Sequence, residues 1–316
     1  MNTIQTKTYY GLGTLIRLSV DDHHASLMEI GYQLIRDYEN RLTVNRAHSE
    51  VMAINLAAGV KPVQVSSITY QLIRIARQVS LKDCGFNVAI GPLVKLWKIG
   101  FDGERVPSDS EISACLTKIQ PQNIQLNDDQ NTVFLTEPGM ALDLGAIAKG
   151  YIADAIRHLW LSRGLTQGVI DLGGNVLLVG AGSHDGKWRV GIQNPQPDGD
   201  IVLGSLEVNA CSVVTSGIYE RHMVVNGQDY HHILDDQTGY PMTNDLESVT
   251  IISENSIDGE IWTTLGFYQG MTAGMAMIGA HPKLDAIFVS RDKQVWVTSG
   301  ISQTFKLRDG RYQLHD

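Results

Sequence analysis

The chain has 316 residues, of which 43% are hydrophobic and 19% charged, a composition typical of a globular protein rather than a disordered or fibrous one. Its formal net charge of −9 argues against a nucleic-acid surface, because phosphate backbones are bound by clustered lysines and arginines. No apolar stretch approaches the roughly 20 residues that span a bilayer, no signal-peptide pattern opens the chain and the cysteines fit no disulfide framework, so we expect a cytoplasmic protein without a membrane segment.

The first part of the chain is predicted to contain a strand followed by helices. Residues 9–20 have the apolar pattern of a strand opened by a glycine-rich turn. A one-sided apolar stripe from Leu27 to Tyr38 predicts an amphipathic helix, and a second helix is predicted over residues 67–82. Another helix opens after Ser108, where Glu111 follows at the spacing of a capping box.

The remainder of the chain is predicted to be rich in strands. A short strand after Gly139 leads into Asp143, from which a helix runs to about Leu161. Strands are then predicted over residues 169–179, 188–192, 201–208, 222–226, 248–253, 286–290 and 294–299, with one helix over residues 256–279. Because strands and helices are mixed without a regular βαβ alternation, the predicted fold class is α+β. No repeat or linker marks a boundary, so we expect one domain over residues 1–316.

Two common nucleotide-binding motifs begin in the sequence and then fail. Gly145 and Gly150 have the spacing of a P-loop, but Tyr151 follows where that motif requires lysine. Gly11-Leu-Gly13 opens like a dinucleotide fingerprint, but Ile16 occupies the position of its third glycine. The sequence therefore argues against both types of site.

Three polar segments have a functional and a structural interpretation. Asp143 and Lys149 lie where a helix is predicted to begin and could bind an anion, or Asp143 is an N-cap and Lys149 is solvated. His232 lies beside a Thr-Gly-Tyr-Pro turn and is either a catalytic group or a hydrogen-bonded structural side chain. Glu260 and Thr264 share one helix face, where they could bind a hard cation or serve as a cap and a surface charge.

Taken together and in this order, these segments resemble the ApbE family of FAD:protein FMN transferases over nearly the whole chain. The matching segments are Leu12-Gly13-Thr14, Ser49-Glu50 with Asn55, Phe86 to Gly100 around Gly-Pro-Leu-Val-Lys-Leu-Trp, Asp143-Leu-Gly-Ala-Ile-Ala-Lys149-Gly150, Asp171-Leu-Gly-Gly-Asn175, Thr215-Ser-Gly217, and His232 to Pro241. Each motif alone is weak evidence for the family, and the resemblance becomes specific because all of the motifs occur in the family's order and spacing.

The resemblance implies an ApbE-like α+β fold, related to the T-fold, with mixed sheets and packed helices. It implies one flavin transferase domain over residues 1–316, either a single body or two lobes with the FAD cleft between them. The implied activity is the Mg²⁺-dependent transfer of FMN from FAD to a threonine hydroxyl of a target flavoprotein, with release of AMP. The implied acceptor carries its threonine in a short motif and is expected to be a cytoplasmic reductase.

The resemblance also implies roles for individual residues. His232 matches the catalytic base, whereas His231 fills a position where the family commonly has serine. The implied metal ligands are Ala146, through its backbone carbonyl, Glu260 and Thr264. Asp258 is the alternative carboxylate ligand. The implied contacts to the flavin dinucleotide are Leu12, Asn45, Gly85, Phe86, Asn87, Asp143, Lys149, Thr215 and Leu234.

Some positions depart from the family pattern and keep other functions open. Asn87 replaces an aspartate, Asn45 stands where an aromatic side chain is common, and Ile218 replaces the aspartate after Thr-Ser-Gly. Glu260 is one methylene longer than the aspartate of the family. The alternatives are a Mg²⁺-dependent FAD pyrophosphatase, in which water replaces the threonine, and a catalytically idle flavin-binding protein.

Overall fold

The computed structural model describes residues 4–195 and 202–315. These residues form two compact units, each assembled from more than one stretch of chain. The sheet unit lies within Met1–Tyr38, Lys149–Gly217 and Asn244–Asp316. The helical unit consists of the remaining two stretches, Glu39–Ala148 and Ile218–Thr243.

Helices and strands are interleaved along the chain. The described helices are α1 (Ser26–Leu42), α2 (Glu50–Leu56), α3 (Ser67–Ser80), α4 (Gly91–Trp97), α5 (Asp109–Leu116), α6 (Ala148–Ser162) and α7 (Ser256–Gly279). The described strands are β1 (Ile4–Gly11), β2 (Thr14–Asp21), β3 (Val63–Gln64), β4 (Ile124–Asn127), β5 (Thr132–Leu135), β6 (Gln167–Asp171), β7 (Asn175–Gly180), β8 (Trp188–Ile192), β9 (Gly204–Val208), β10 (Ser212–Gly217), β11 (His222–Val225), β12 (Gln228–His231), β13 (Leu246–Ser253), β14 (Asp285–Ser290), β15 (Gln294–Val297), β16 (Phe305–Leu307) and β17 (Gln313–His315).

The sheet unit is organised around one long sheet. Among the described residues its strand order is β1-β2-β6-β7-β10-β13-β14-β15-β17, antiparallel up to β15, which pairs in parallel with β17. A smaller sheet of the same unit has the order β16-β9-β8. Leu206 and Phe305 of the smaller sheet share a hydrophobic core with Val213, Ile252 and Val289 of the larger one. Mixed strand directions and packed helices are those expected of the α+β class.

Two tight hairpin turns meet at one end of the long sheet. Leu12 and Gly13 connect β1 to β2 with φ angles of 53° and 75°, the left-handed pair found in two-residue hairpin turns. Gly173 and Gly174 connect β6 to β7, and their φ angles of 69° and 85° are also left-handed. A Cβ at Gly173 would lie 2.2 Å from Thr14 Oγ1, so only glycine allows this approach of the two turns.

Helices α6 and α7 pack closely where α7 begins. A Cβ at Gly150 of α6 would lie 2.5 Å from the carbonyl oxygen of Ser256, so a larger residue would push the helices apart. Asp154, one turn further along α6, accepts hydrogen bonds from the backbone N–H groups of Ser256 at 3.0 Å and Ile257 at 2.9 Å. Asp154 thereby caps the N-terminus of a helix to which it does not belong.

Helix α7 is interrupted at Gly270. This residue has φ 74° and ψ −177°, a conformation essentially restricted to glycine. A Cβ at Gly274 would lie 2.8 Å from the carbonyl oxygen of Gly266, so the second segment packs back against the first. The helix predicted over residues 256–279 therefore has the correct bounds but consists of two segments.

The helical unit contains α2 to α5 together with two small sheets, β3-β5-β4 and β11-β12. Trp97, the last residue of α4, is buried in one hydrophobic core with Ile112 and Leu234. Its Nε1–H donates to the carbonyl oxygen of Gly239 at 2.8 Å, which ties the Thr-Gly-Tyr-Pro turn to α4. His232 lies in the segment between β12 and this turn.

The predicted helices of the first part are confirmed, whereas some predicted strands are hairpins. Helix α1 includes the stripe from Leu27 to Tyr38, and the capping box of Ser108 and Glu111 is present at the start of α5. The single strands predicted over residues 9–20 and 169–179 are each divided by a turn with left-handed backbone. An apolar pattern that continues through a turn does not reveal the turn.

Further differences lie at the ends of elements. The strand predicted after Gly139 is reduced to an isolated bridge between Ala141 and Ile90, and α6 begins at Ala148 rather than directly after Asp143. The predicted strand over residues 201–208 begins outside the described residues, and β9 accounts for its later part. Strands β16 and β17 follow the last predicted strand. In the part of the chain that is described, no helix combines the length and the apolar character needed to cross a membrane.

Candidate active site

The glycine turn between β6 and β7 gathers predicted site residues of the sheet unit. The carbonyl oxygen of Gly174 accepts a hydrogen bond from the backbone N–H of Thr215 at 3.1 Å. Lys149 Nζ lies 3.5 Å from the carbonyl oxygen of Gly173. The turn that contains Leu12 packs against the same glycine through its neighbouring threonine. Three predicted flavin contacts are therefore arranged around one backbone turn.

A buried carboxylate, Glu260, lies near the start of α7. Glu260 is 5% exposed, and its Oε1 accepts a hydrogen bond of 2.7 Å from Asn175 Nδ2. Thr264 Oγ1 donates to the backbone carbonyl of Glu260 at 3.2 Å, so the hydroxyl stays one turn along the same face. Asp258, the alternative carboxylate, is partly exposed and accepts a hydrogen bond from Asn255 Nδ2 at 3.0 Å. The two candidate carboxylates thus have different surroundings.

The side-chain donors around Glu260 are oxygen atoms, the Glu260 carboxylate and the Thr264 hydroxyl. The described residues contain no group of three or more His, Cys, Asp or Glu side chains suited to a metal, so an ion at Glu260 would also need backbone or substrate oxygens. None of the ion pairs found among those residues includes Glu260, and a buried carboxylate without a basic partner favours a cation. Carboxylate and hydroxyl oxygens are hard donors of the kind that Mg²⁺ binds together with substrate phosphates.

His232, in the helical unit, has a ring whose tautomer is set by its surroundings. Its Nδ1 lies 3.1 Å from the carbonyl oxygen of Arg221. Because a carbonyl only accepts hydrogen bonds, Nδ1 carries the proton of the neutral ring and the lone pair is on Nε2. His231 is 3% exposed, and its Nε2 lies 3.0 Å from the carbonyl oxygen of Met242. Of these two neighbouring histidines, His232 is the more exposed.

Asp143 closes a turn ahead of α6 and does not cap that helix. Its Oδ1 accepts a hydrogen bond from the backbone N–H of Gly145 at 2.8 Å, whereas the first N–H of α6 bonds to the carbonyl oxygen of Leu144 at 2.9 Å. The interpretation of Asp143 as an N-cap is therefore wrong. Burial raises the pKa of the Asp143 carboxyl, against the lowering effect of the Gly145 hydrogen bond and the charges of Arg221 and Lys95.

The side chains of three other predicted contacts are engaged inside the helical unit. Asn87 Nδ2 donates to the carbonyl oxygen of Ile119 at 2.9 Å and to Asp236 Oδ2 at 3.0 Å. Phe86 is buried, and Leu234 is buried in the hydrophobic core that contains Trp97.

Three further predicted site residues lie in loops or turns. Gly85 has φ 90°, so the left-handed backbone there favours glycine. Asn45 is exposed in the bends that follow α1, and Ala146 is exposed in the turn that precedes α6. The backbone of an exposed turn is accessible to a ligand, which suits the carbonyl role predicted for Ala146.

A family model described as the ApbE family matches residues 12–288. The chain belongs to the ApbE family. It is 46% identical to an FAD:protein FMN transferase of Klebsiella pneumoniae (strain 342), over 96% of this chain and 95% of that relative. It is 36% identical to an FAD:protein FMN transferase of Treponema pallidum (strain Nichols), over 96% of this chain and 89% of that relative. The crystal structure of an ApbE protein from Thermotoga maritima matches with a TM-score of 0.86 and 29% identity, covering 94% of this chain and 98% of that one.

Membership of the ApbE family confirms the predicted family and the ApbE-like α+β fold. Arg221 and the role of Asn175 were missed from the sequence. Arg221 supplies the carbonyl that sets the tautomer of His232, and its guanidinium lies 5.1 Å from the centre of the Phe101 ring. No motif marks Arg221, whereas Asn175 is the last residue of the ApbE motif that begins at Asp171. The roles of the individual site residues stay predictions.

Proposed function

We propose that the chain transfers FMN from FAD to a hydroxyl group of an acceptor protein and releases AMP. The observation that carries this proposal is the match, over nearly the full length of both chains, to relatives named FAD:protein FMN transferase. The tautomer of His232 supports it, because group transfer to a hydroxyl needs a base.

In the proposed reaction a threonine hydroxyl of the acceptor attacks the FMN-side phosphorus of FAD. A bond forms between the threonine oxygen and that phosphorus, and the anhydride bond to the AMP phosphate breaks, with AMP keeping the electron pair. The hydroxyl proton passes to Nε2 of His232, because an aliphatic hydroxyl is too weak an acid to ionise unaided at neutral pH. The Arg221 carbonyl accepts from Nδ1–H both before and after this transfer, so the ring keeps its orientation.

We propose that Glu260, Thr264 and the backbone carbonyl of Ala146 hold Mg²⁺. The ion would neutralise the negative charge that develops on the pyrophosphate as the bond to AMP breaks. The burial of Glu260 favours it over the partly exposed Asp258.

The proposed contacts to FAD include one cation, Lys149, beside the glycine turn of the sheet unit. The ammonium group of a lysine suits a phosphate. The complete proposed set is Leu12, Asn45, Gly85, Phe86, Asn87, Asp143, Lys149, Thr215 and Leu234.

We propose that the acceptor is a cytoplasmic flavoprotein, such as a reductase, with its threonine in a short motif. Cys84, Cys115 and Cys211 are free thiols, which suits a reducing compartment. The assignment of residues 1–316 to one flavin transferase domain is part of the same proposal.

The test combines the purified chain with FAD, MgCl₂ and a candidate acceptor that is expressed and purified separately. Intact-mass measurement of the acceptor and chromatographic measurement of AMP are made on the same samples, with an acceptor whose threonine is replaced by valine as control. We expect the mass of the acceptor to increase by that of FMN less one water while AMP is released. The mass of the valine control should not change. AMP and free FMN without a labelled acceptor would instead identify a pyrophosphatase, and no AMP under any condition would leave a flavin-binding protein.

A further inference from the structure

Asn175 is a buried amide between the carboxylate of Glu260 and the first residue of α7. Asn175 is 0% exposed, and its Nδ2 donates to Glu260 Oε1 at 2.7 Å. Its Oδ1 accepts a hydrogen bond of 2.7 Å from Ser256 Oγ. Both ends of the amide are therefore engaged by side chains of the same helix.

The orientation of this amide follows from the chemistry of its neighbours. An ionised carboxylate only accepts hydrogen bonds, so the NH₂ group faces Glu260 and the amide oxygen faces Ser256. Ser256 is fixed in turn, because its backbone N–H donates to Asp154 Oδ1 at 3.0 Å. A flipped amide would place its oxygen against the carboxylate oxygen of Glu260, so two buried acceptors would face each other.

We propose that Asn175 is a positioning residue that holds the Glu260 carboxylate in one orientation and thereby makes the metal site prefer Mg²⁺ over Ca²⁺. The inference rests on the proposed function, in which Glu260 is the carboxylate ligand of the metal. The hydrogen bond from Asn175 to Oε1 fixes the Glu260 side chain and leaves lone pairs on its carboxylate for an ion. Mg²⁺ demands near-ideal octahedral geometry at about 2.0–2.1 Å, whereas Ca²⁺ takes more ligands in flexible geometry at about 2.3–2.6 Å.

A carboxylate that is held in one orientation suits the near-ideal octahedral geometry of Mg²⁺, whereas Ca²⁺ tolerates a flexible arrangement of its ligands. Removal of the Asn175 amide would free the buried Glu260 side chain, and this loss of orientation would weaken Mg²⁺ binding more than Ca²⁺ binding. Loss of such a hydrogen bond corresponds to on the order of tenfold in affinity.

The test is a calorimetric titration of the full chain with MgCl₂ and with CaCl₂, alone and in the presence of FAD. The measured quantity is the ratio of the Kd for Ca²⁺ to the Kd for Mg²⁺. For Asn175→Ala we expect this ratio to fall about tenfold. Ser256→Ala keeps the amide but removes the donor that orients it, so a smaller fall in the same direction is expected. Ser256→Ala carries the test if Asn175→Ala does not fold.

Asn194→Ala is the matched control. Asn194 is another buried amide of the sheet unit, which donates to Asp309 Oδ2 at 2.6 Å and accepts from the Tyr312 hydroxyl at 3.0 Å. Its substitution should lower stability and leave the Ca²⁺ to Mg²⁺ ratio unchanged.

The outcomes separate this inference from the proposed function. An unchanged ratio in Asn175→Ala, or in Ser256→Ala if the former does not fold, overturns the role of Asn175 even if Glu260→Gln abolishes Mg²⁺ binding. Unchanged Mg²⁺ binding in Glu260→Gln overturns the metal assignment itself. Transfer of FMN to the acceptor, scored by mass, tests the proposed function independently of both.

Discussion

Asp154 is expected to be one of the most stabilising polar side chains of the sheet unit. Its two carboxylate oxygens accept hydrogen bonds from the backbone N–H groups of Ser256 and Ile257, which have no intrahelical acceptor at the start of α7. Arg157 Nη2 lies 3.1 Å from the same carboxylate, and Asp154 is buried. Removal of the side chain therefore leaves two helix N–H groups without a partner.

The magnitude follows from these contacts. A hydrogen bond to a charged group contributes about 1.5–3 kcal/mol, and loss of a helix cap costs about 0.5–2 kcal/mol. Because the two bonds share one cap, we expect Asp154→Ala to lower the free energy of unfolding by about 2–4 kcal/mol. Asp154→Asn keeps the shape and one acceptor oxygen, so about 1–2 kcal/mol is expected.

The assay is urea denaturation followed by far-ultraviolet circular dichroism. Asp37→Ala, which removes an exposed acid from α1, is the control for loss of one negative charge. Since Ser256 also orients the Asn175 amide, the Asp154 variants should weaken Mg²⁺ binding as well. A loss below about 0.5 kcal/mol in both Asp154 variants, the size of an ordinary surface substitution, would refute the capping argument.

Three further predictions concern the site and acid stability. His232→Ala should retain FAD binding and slow FMN transfer by about 10²–10⁴-fold, the usual contribution of a general base, and unchanged transfer would remove His232 from that role. Glu260→Ala should abolish the Mg²⁺ dependence of AMP release, and if Asp258→Ala does so instead, the ligand assignment is wrong. Hydrogen bonds from Arg311 lower the pKa of Asp309 to about 2, below its usual 3.8, so its stabilisation is complete above that usual value and is lost as the pH falls toward 2. Asp309→Asn should flatten this part of the pH profile of the unfolding free energy, and identical acid profiles for both proteins would contradict the reasoning.

Local chemistry was the part of the fold that the sequence predicted best. The capping box of Ser108 and Glu111 and the stripe of α1 follow from contacts within one or two helical turns, and both are present. The hairpin turn at Leu12 was not predicted from the sequence. A leucine with a left-handed backbone conformation is rare, and the φ angle of Leu12 depends on the pairing of the two strands that the turn connects. The break at Gly270 was missed for a similar reason, since a glycine in a helical pattern does not reveal its φ.

The candidate site was predictable as a set of motifs but not as a set of contacts. The motifs of the chain have the order and spacing of the ApbE family, and this match predicts His232 and Glu260 as site residues. The partner of Glu260 is Asn175, 85 residues away in sequence, and no local periodicity encodes such a pair. For Asp143 the sequence predicts a contact that is not formed. An acid ahead of a helix fits the position of an N-cap, but the Asp143 carboxylate accepts a hydrogen bond from the backbone N–H of Gly145 instead.

The contact between Gly173 and Thr14 restricts how this protein can change over evolutionary time. A Cβ at position 173 would lie 2.2 Å from Thr14 Oγ1 and 2.8 Å from Thr14 Cβ, so serine or alanine at position 14 would not make room for it. The left-handed φ of 69° at Gly173 opposes a side chain even if position 14 were glycine. A substitution at position 14 therefore cannot make a side chain at position 173 acceptable, and position 173 is expected to remain glycine even where Thr14 changes.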